Sequence, residues 1–585
     1  MRVESGLTVE YLAHILNLAF TFVALTISLN LILGYGGMAS MAHGAFFCIG
    51  GYISAMATMH WGCSFFLSVV LAVIATSVLG GALAAPFIRV QEEYLILFTI
   101  AFQMVVFYLM LSLYNITGGD SGIFGVPPVE IFGFVADTPG KFLPIMTVFM
   151  IIVFYVSMKV TNSPIGRVLK GIREDDMAVA SLGKNVIKFK VIIFMVGTGI
   201  AAGIGGIFAH YTEFISPSIG NLDQSILIIA MVVLGGSANL WGSALGACLL
   251  IIIPEILNFL PGATDIIVPL RGFIYGVLLI LFMRFRPEGL LPEYFNLKSS
   301  KKRVLDLLDG VPEKKSELFR SFEGNPGHGT ASKQGPILEA RGISKSFGGL
   351  KAVNNFFLEL DSAKITALVG PNGCGKTTAF NLITGFLKPD NGKIFFRGKN
   401  ITNLPAHKMP YIGIVRSWQD VRIFKGMTVM DNLLIAIQNQ SGESLVKLFF
   451  MPWYVKKEQT DNVKRALFYL DTMGLRRKAF EIARNLSYAE QKLLAMGRLL
   501  ATEAEVLLLD EPSSGVDPNW VENFMDIIKE LAVSGKTICI VEHNLEVVRK
   551  ISDIVFFMAE GRVIAKGSAE ELMSDPKLGE IYFGV

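Results

Sequence analysis

The strongest constraint on this chain is where charge is missing. From Tyr11 to Ile88 there is no Asp, Glu, Lys or Arg, only His14, His43 and His60, and further charge-free stretches cover 94–119, 142–158, 191–212, 224–254 and 272–283. A helix crossing the hydrocarbon core needs about 20 mostly apolar residues, and a charge at its centre costs about 2.5–3.5 kcal/mol on insertion scales. One buried helix of a soluble protein can be this apolar; six such stretches in one half of a chain are not absorbed by a soluble core. Residues 1–296 therefore read as an α-helical polytopic membrane domain. Candidate spans are 11–33, 41–58, 63–84, 95–114, 142–160, 191–211, 225–259 (expected as two short segments) and 268–284, about eight in all. The short segment 41–58 carries Gly44, Gly50 and Gly51 and fits either a full span or a re-entrant helix covered by protein. Asn17, Asn30 and Gln103 lie within spans, where they either line a path or bond neighbouring helices.

Positive charge orients these spans. The loop 161–190 carries Arg167, Lys170, Arg173, Lys184, Lys188 and Lys190, and the stretch after the last span carries Arg284, Arg286, Lys298, Lys301, Lys302 and Arg303. Such clusters mark the cytoplasmic side. The N-terminus, with Glu4 and Glu10 and no basic cluster, reads as the lead into a first membrane helix and not as a removable signal. Residues 297–336 are a polar linker with a short helix expected near 302–309, and the Lys-Ser-Ser-Lys-Lys run at 298–302 is suited to anionic lipid headgroups. A net charge of +3 gives no ground for nucleic acid as a partner, and five cysteines at 48, 63, 248, 374 and 539 show neither metal spacing nor a disulfide framework.

From about 337 onward the composition changes to that of a soluble α/β protein. The apolar stretch Ile365-Thr366-Ala367-Leu368-Val369 leads into Gly370-Pro371-Asn372-Gly373-Cys374-Gly375-Lys376-Thr377-Thr378, and helix-like sequence follows. This is the strand, glycine loop and helix start of a P-loop. Its glycines let successive N–H groups converge on phosphates, Lys376 can reach the outer phosphates, and the Thr377 hydroxyl can ligate Mg²⁺. Farther on, Val506-Leu507-Leu508-Leu509-Asp510-Glu511 is a buried-strand run ending in two acids. Downstream of a P-loop, Asp510 is the candidate Mg²⁺ ligand and Glu511 the candidate general base.

Leu486-Ser487-Tyr488-Ala489-Glu490-Gln491, lying between these two motifs, completes a pattern. Residues 337–585 resemble the nucleotide-binding domain of an ATP-binding cassette (ABC) transporter, whose signature usually reads Leu-Ser-Gly-Gly-Gln. The resemblance implies that Ser487 and Ala489 face ATP held by a partner domain; here Tyr488 and Ala489 replace the glycines and Glu490 the glutamine. As bare residues, 486–502 equally describe a capped amphipathic helix. By the same resemblance, Phe347 stacks on adenine, although a Phe packed at a sheet edge would look the same. Gln419 senses Mg²⁺ and the membrane domain, Asp517 belongs to a dimer-communication loop, and His543 contacts γ-phosphate. The ATP-binding set is thus Phe347, Gly370, Asn372, Gly373, Gly375, Lys376, Thr377, Thr378, Ser487, Ala489 and Asp517. Gln419, Glu511 and His543 are the catalytic set, with Thr377, Asp510 and Gln419 toward Mg²⁺.

More specific runs are Asn381-Leu382-Ile383-Thr384-Gly385-Phe386, Arg416-Ser417-Trp418-Gln419 and Phe424-Lys425-Gly426-Met427-Thr428-Val429. In the membrane half, Gly34 to Gly44, Thr117 to Gly122, the segment from Gly166-Arg167 to Gly183, and Arg286-Pro287-Glu288-Gly289-Leu290 stand out. Together they resemble the ATPase and the permease of the branched-chain (hydrophobic) amino-acid uptake family, fused in one chain. The resemblance implies half of an importer in the cell (inner) membrane, with a cytoplasmic ATPase and an external solute-binding protein. A second permease and a second ATPase complete it, and the altered signature favours a heteromer over a homodimer. Similar permeases take urea, amides and other small polar solutes; an exporter half and a non-transporting membrane ATPase are the rival readings. The helix-like core of loop 161–190, with Ala178, Ala180 and Gly183, fits a groove in a soluble domain as the family's coupling helices do, while a solvated loop would have similar sequence.

Overall fold

The computed structural model describes residues 2–88, 92–131, 133–257, 335–515 and 517–575, with scattered positions between 273 and 293 and residues 577–578. The expected span 268–284, isolated positions apart, the linker to residue 334 and the helix expected near 302–309 lie outside the described residues. The chain forms two compact units. One comprises Met1–Arg173, Val186–Ser300 and Gly442–Phe450; the other comprises Glu174–Asn185, Lys301–Ser441 and Met451–Val585.

The first unit is helical: α1 (Arg2–Asn30), α2 (His43–Trp61), α3 (Phe65–Phe87), α4 (Glu92–Ser112), α5 (Pro139–Thr161), α6 (Pro164–Glu174), α7 (Val186–Thr212), α8 (Leu222–Gly235) and α9 (Leu240–Leu257). Among the described residues five helical stretches are long and apolar enough to cross a membrane, Val9–Tyr35, Phe65–Phe87, Glu93–Ser112, Pro139–Thr161 and Val186–Thr212. The helix α2 packs on α7 through small residues: a Cβ on Gly205 would lie 1.9 Å from the Phe47 carbonyl oxygen, and one on Gly50 2.3 Å from Ala202. Close backbone approach of this kind is how membrane helices gain contact where lipid offers no hydrophobic drive.

Within the stretch expected as two segments, the described residues 225–257 form two helices, α8 and α9, broken at 236–239, where Gly236 and Ala238 have positive φ. A break between buried helices frees backbone groups that must find partners inside the protein. Asn30 supplies them. Its Oδ1 accepts from the Ala238 N–H at 2.9 Å, and its Nδ2 donates to Ser243 Oγ at 2.7 Å and to the Asn239 carbonyl at 3.1 Å. Gln103 does the same for the start of α2, accepting from the Ala45 N–H at 2.9 Å, and Asn17 donates to the Pro139 carbonyl at 2.9 Å. All three in-span amides therefore join helices.

The second unit contains two sheets. Strands β1 (Leu338–Phe347), β2 (Leu350–Leu360), β4 (Asn391–Phe396) and β5 (Lys399–Asn400) form an antiparallel sheet in the order β2-β1-β4-β5. Strands β3 (Ile365–Val369), β6 (Ile414–Arg416), β7 (Val506–Asp510), β8 (Thr537–Val541), β9 (Ile554–Ala559) and β10 (Arg562–Gly567) form a six-stranded sheet ordered β6-β7-β8-β3-β9-β10. All its pairings are parallel except β9 with β10. Every residue of β3, β7 and β8 is buried, which is why these strands read as unbroken apolar runs. Around the sheets stand α10 (Lys376–Ile383), α11 (Val429–Ala436), α12 (Pro452–Thr472), α13 (Tyr488–Ala501) and α14 (Pro518–Val533). The parallel order aligns the C-terminal ends of β3, β7 and β8, where Gly370, Asp510 and the segment 542–543 emerge.

Candidate nucleotide site

The loop after β3 turns into α10 through backbone that only glycine adopts freely. Gly373 and Gly375 have φ of 79° and 105°. At Gly375 a Cβ would also lie 2.2 Å from the Ala352 carbonyl oxygen, whereas at Gly373 the space is open. Lys376 is buried, and its ammonium donates to the Gly370 and Pro371 carbonyls at 2.8 and 2.9 Å. The lysine thus curls back over the loop, its charge held where phosphate oxygens would enter. Thr377 is exposed in the first turn of α10, Thr378 is half-buried, and Asn372 and Gly373 are exposed at the rim. Phe347 is half-exposed at the end of β1, with the Lys345 ammonium 6.0 Å from the centre of its ring.

The ends of β7 and β8 bring together Gln419, Asp510, Glu511 and His543. His543 Nε2 lies 2.8 Å from Glu511 Oε1, and Gln419 Nε2 donates to Glu511 Oε2 at 3.2 Å. Glu511 has φ 47°, a left-handed conformation that costs a non-glycine residue about 1–3 kcal/mol, and its N–H is tied to the Val541 carbonyl at 2.9 Å.

Asp510 is buried and held from two sides, its N–H donating to Ser417 Oγ at 2.8 Å and its Oδ2 lying 3.4 Å from the Arg416 guanidinium. Its Oδ1 is buried and has no hydrogen-bond partner among the described residues. Burial pushes the Asp510 carboxyl above the usual carboxylate range, with Arg416 opposing. Arg416 is itself pulled down to about 10 by burial, against the pull of Asp510, and so stays charged at neutral pH. A buried carboxylate with one unpaired oxygen fits a cation. No group of three or more His, Cys, Asp or Glu among the described residues forms an all-protein metal cluster.

The sequence gives a role to Gln419 but not to its neighbours. In the fold, Arg416 also bonds Asn381, and two guanidinium groups lie over the Trp418 ring, Arg416 at 4.1 Å and Arg422 at 4.8 Å from its centre. Arg422 in turn pairs with Asp175 at 3.0 Å. Glu542 is a further residue that sequence patterns pass over: buried, it accepts from the Ser513 N–H at 2.9 Å and anchors the loop after Glu511. A pocket bordered by Trp418, Arg422, Asp510, Glu511, Ser181 and Leu182 includes no P-loop residue in its lining.

The altered signature has a structural account. Ser487 caps α13, and Glu490 closes a capping box with it while pairing with Lys478 at 2.7 Å. Ala489 stands half-buried in the first turn, and the Tyr488 ring lies against Gly515, where a Cβ would be 3.2 Å away. Asp517 is the N-cap residue of α14, without a side-chain capping bond.

Residues 174–185 fold with this unit. The helix Asp176–Ser181 is capped by Asp175, and Glu174 accepts from the Gly426 N–H at 2.9 Å. Lys184, almost wholly buried, donates to the Ile437 carbonyl at 2.8 Å, and Gln438 donates to the Leu182 carbonyl at 2.6 Å. This segment is seated, and a solvated loop would not be.

Comparison with known proteins identifies the family. A family model described as the branched-chain amino acid transport system permease component matches residues 11–283, and an ABC transporter model matches 353–514. The high-affinity branched-chain amino acid transport ATP-binding protein LivG of Salmonella typhimurium is 38% identical over 250 residues, 43% of this chain and 98% of that protein. The probable branched-chain amino acid transport ATP-binding protein LivG of Archaeoglobus fulgidus is 40% identical over 248 residues, 42% of this chain and 95% of its own length. Among solved structures, a nucleotide-free ATP-binding cassette from an ABC transporter is 35% identical, covering 42% of this chain and 98% of that one, with a TM-score of 0.38. The chain belongs to the ABC transporters of the branched-chain amino acid type, membrane proteins that couple ATP hydrolysis to transport, and it carries the permease and the ATP-binding component in one polypeptide.

Proposed function

We propose that this chain is half of an importer that takes up branched-chain or other hydrophobic amino acids from an external binding protein, with its ATP-binding unit in the cytoplasm. The observation that carries the ATPase part is the set converging on Glu511, with Gln419 and His543 on its two oxygens and the strained backbone aiming it. Glu511 would take the proton from the attacking water, while His543 and Gln419 hold its carboxylate in place. Lys376 and the loop N–H groups would hold the phosphates, and Phe347 the base. Mg²⁺ would rest on Thr377, Asp510 and Gln419, and when bound it neutralises charge developing on the phosphates. The solute assignment follows the relatives' names. ATP-driven uptake into sealed vesicles, with leucine and with urea as competing solutes and with the external binding protein added or withheld, tests it. Uptake that ignores leucine, or efflux in place of uptake, would sink it.

The segment 174–185 would transmit motion between nucleotide site and permease, because it is bonded into the ATP-binding unit yet continues along the chain into α6 and α7. Gly183 has φ 89°, and a Cβ there would fall 2.7 Å from Gln438 Oε1. Gly183→Leu is expected to leave ATP binding intact and to cut solute-stimulated hydrolysis about 5–150-fold, the usual size of a coupling free energy. Unaltered uptake and stimulated ATPase in this variant would reduce the segment to a connector.

A second permease and a second ATPase subunit would complete the transporter. Ala489 and Glu490 alter the face expected to act on the partner's ATP, and a heteromer confines that change to one of two sites. The mass of the purified complex decides: two copies of this chain with no other ATPase polypeptide would refute the heteromer.

A further inference from the structure

One short stretch of the ATP-binding sequence folds with the membrane unit. Residues 442–450 cluster there, and the helix Leu445–Phe450 sits beside the C-terminal end of α5, where the Lys159 ammonium lies 4.7 Å from the Phe449 ring and 5.6 Å from Tyr155. On α5, Val148, Ile151, Ile152, Tyr155 and Met158 are all exposed and recur at helical spacing, which makes one exposed apolar stripe, facing lipid if α5 crosses the bilayer. That stripe runs to the end of α5 that leads into the basic loop. The exposed apolar surface continues there on Val446 and on Phe450, which is 76% exposed. Trp453, 72% exposed, and Tyr454 follow within four residues of Phe450, so no more than about 14 Å of chain separates them. Lys447, Lys456 and Lys457, which flank these aromatics in the sequence, are exposed.

Large aromatic rings left in water are unfavourable, and rings mixed with lysines are the composition favoured at the headgroup level of a bilayer. We infer that 446–457 is a membrane-surface anchor, in which Phe450 and Trp453 enter the headgroup layer and the three lysines meet anionic phospholipid. It would hold this stretch of sequence at the cytoplasmic leaflet. Two observations carry it: continuity with the exposed apolar stripe of α5, and positive charge suited to an anionic leaflet.

The inference rests on α5 crossing the bilayer, and the test separates the two. The full chain, with any subunits that copurify, is placed in nanodiscs of phosphatidylglycerol and phosphatidylcholine with or without bromine near the head of the acyl chains. The difference between wild type and Trp453→Phe isolates the Trp453 emission. The same difference for Trp241→Phe gives an internal reference, because Trp241 is exposed on α9 with its ring 4.5 Å from Phe154 of α5. Trp453 is expected to lose most of its emission in brominated discs. Combined Lys447→Gln, Lys456→Gln and Lys457→Gln should abolish any preference for phosphatidylglycerol over pure phosphatidylcholine. Quenching of Trp241 but not of Trp453 overturns the anchor alone, and quenching of neither overturns the placement of α5 as well. Trp453 shielded from acrylamide but not quenched by bromine means that a protein partner covers the patch, which also overturns the proposal.

Discussion

In Glu511→Gln, ATP still binds while hydrolysis at this chain's site falls about 10²–10⁴-fold, the range expected for loss of a general base. The substitution keeps shape and removes the basic oxygen. The amide oxygen can still face His543 Nε2, now 2.8 Å from a carboxylate oxygen. Its NH₂ would then meet the Gln419 amide nitrogen, which donates to Glu511 at present, and Gln419 must rotate by half a turn to accept instead. The left-handed backbone at 511 is no worse for Gln than for Glu, so folding is spared. Single-turnover hydrolysis with labelled ATP reads the effect directly. An unchanged rate with intact binding would remove Glu511 from the mechanism and leave the strained conformation at 511 without a catalytic reason.

Gly375→Ala is expected to damage folding and nucleotide binding together. The left-handed conformation costs a residue with a Cβ about 1–2 kcal/mol, and forcing a methyl group into packed surroundings costs about 1–3 kcal/mol more. At Gly375 the obstacle is backbone, the Ala352 carbonyl oxygen at 2.2 Å, so a side-chain rotation cannot relieve it. Either the loop or β2 must move, and the loop N–H groups proposed to hold phosphate move with it. Thermal unfolding should show a lower midpoint and no further stabilisation by ADP. Gly373→Ala is the internal comparison, since its φ is also positive but the space around it is open. It should lose stability through backbone strain alone and keep an ADP-induced shift. Equal behaviour of the two variants would mean that the approach to Ala352 carries no constraint.

Much of this protein is legible in one dimension, for definite reasons. Charge is too costly in hydrocarbon to be placed casually, so the membrane half announces itself through the absence of Asp, Glu, Lys and Arg. The P-loop is legible because its function depends on local backbone, and only glycines at 373 and 375 permit that backbone. Asp510 and Glu511 stand out because a strand buried at every residue ends there in two acids. Ser487 with Glu490 is legible as a helix cap, since both partners lie within one turn.

What tertiary structure alone decided are relations between residues distant in sequence. Nothing local marks Arg416 as an almost wholly buried cation shared by Asn381 and Asp510, or Trp418 as the ring that both Arg416 and Arg422 lie over. Asn30 looks like any polar residue in a span until the break between α8 and α9, over 200 positions away, presents it with Ala238 and Asn239. Residues 174–185 belong by sequence to the membrane half and residues 442–450 to the ATP-binding half, yet each folds with the other unit. Local rules of charge, glycine and strand burial specify which backbone forms where. Which buried charge meets which partner is settled only when packing closes water out and every polar group left inside must find a bond.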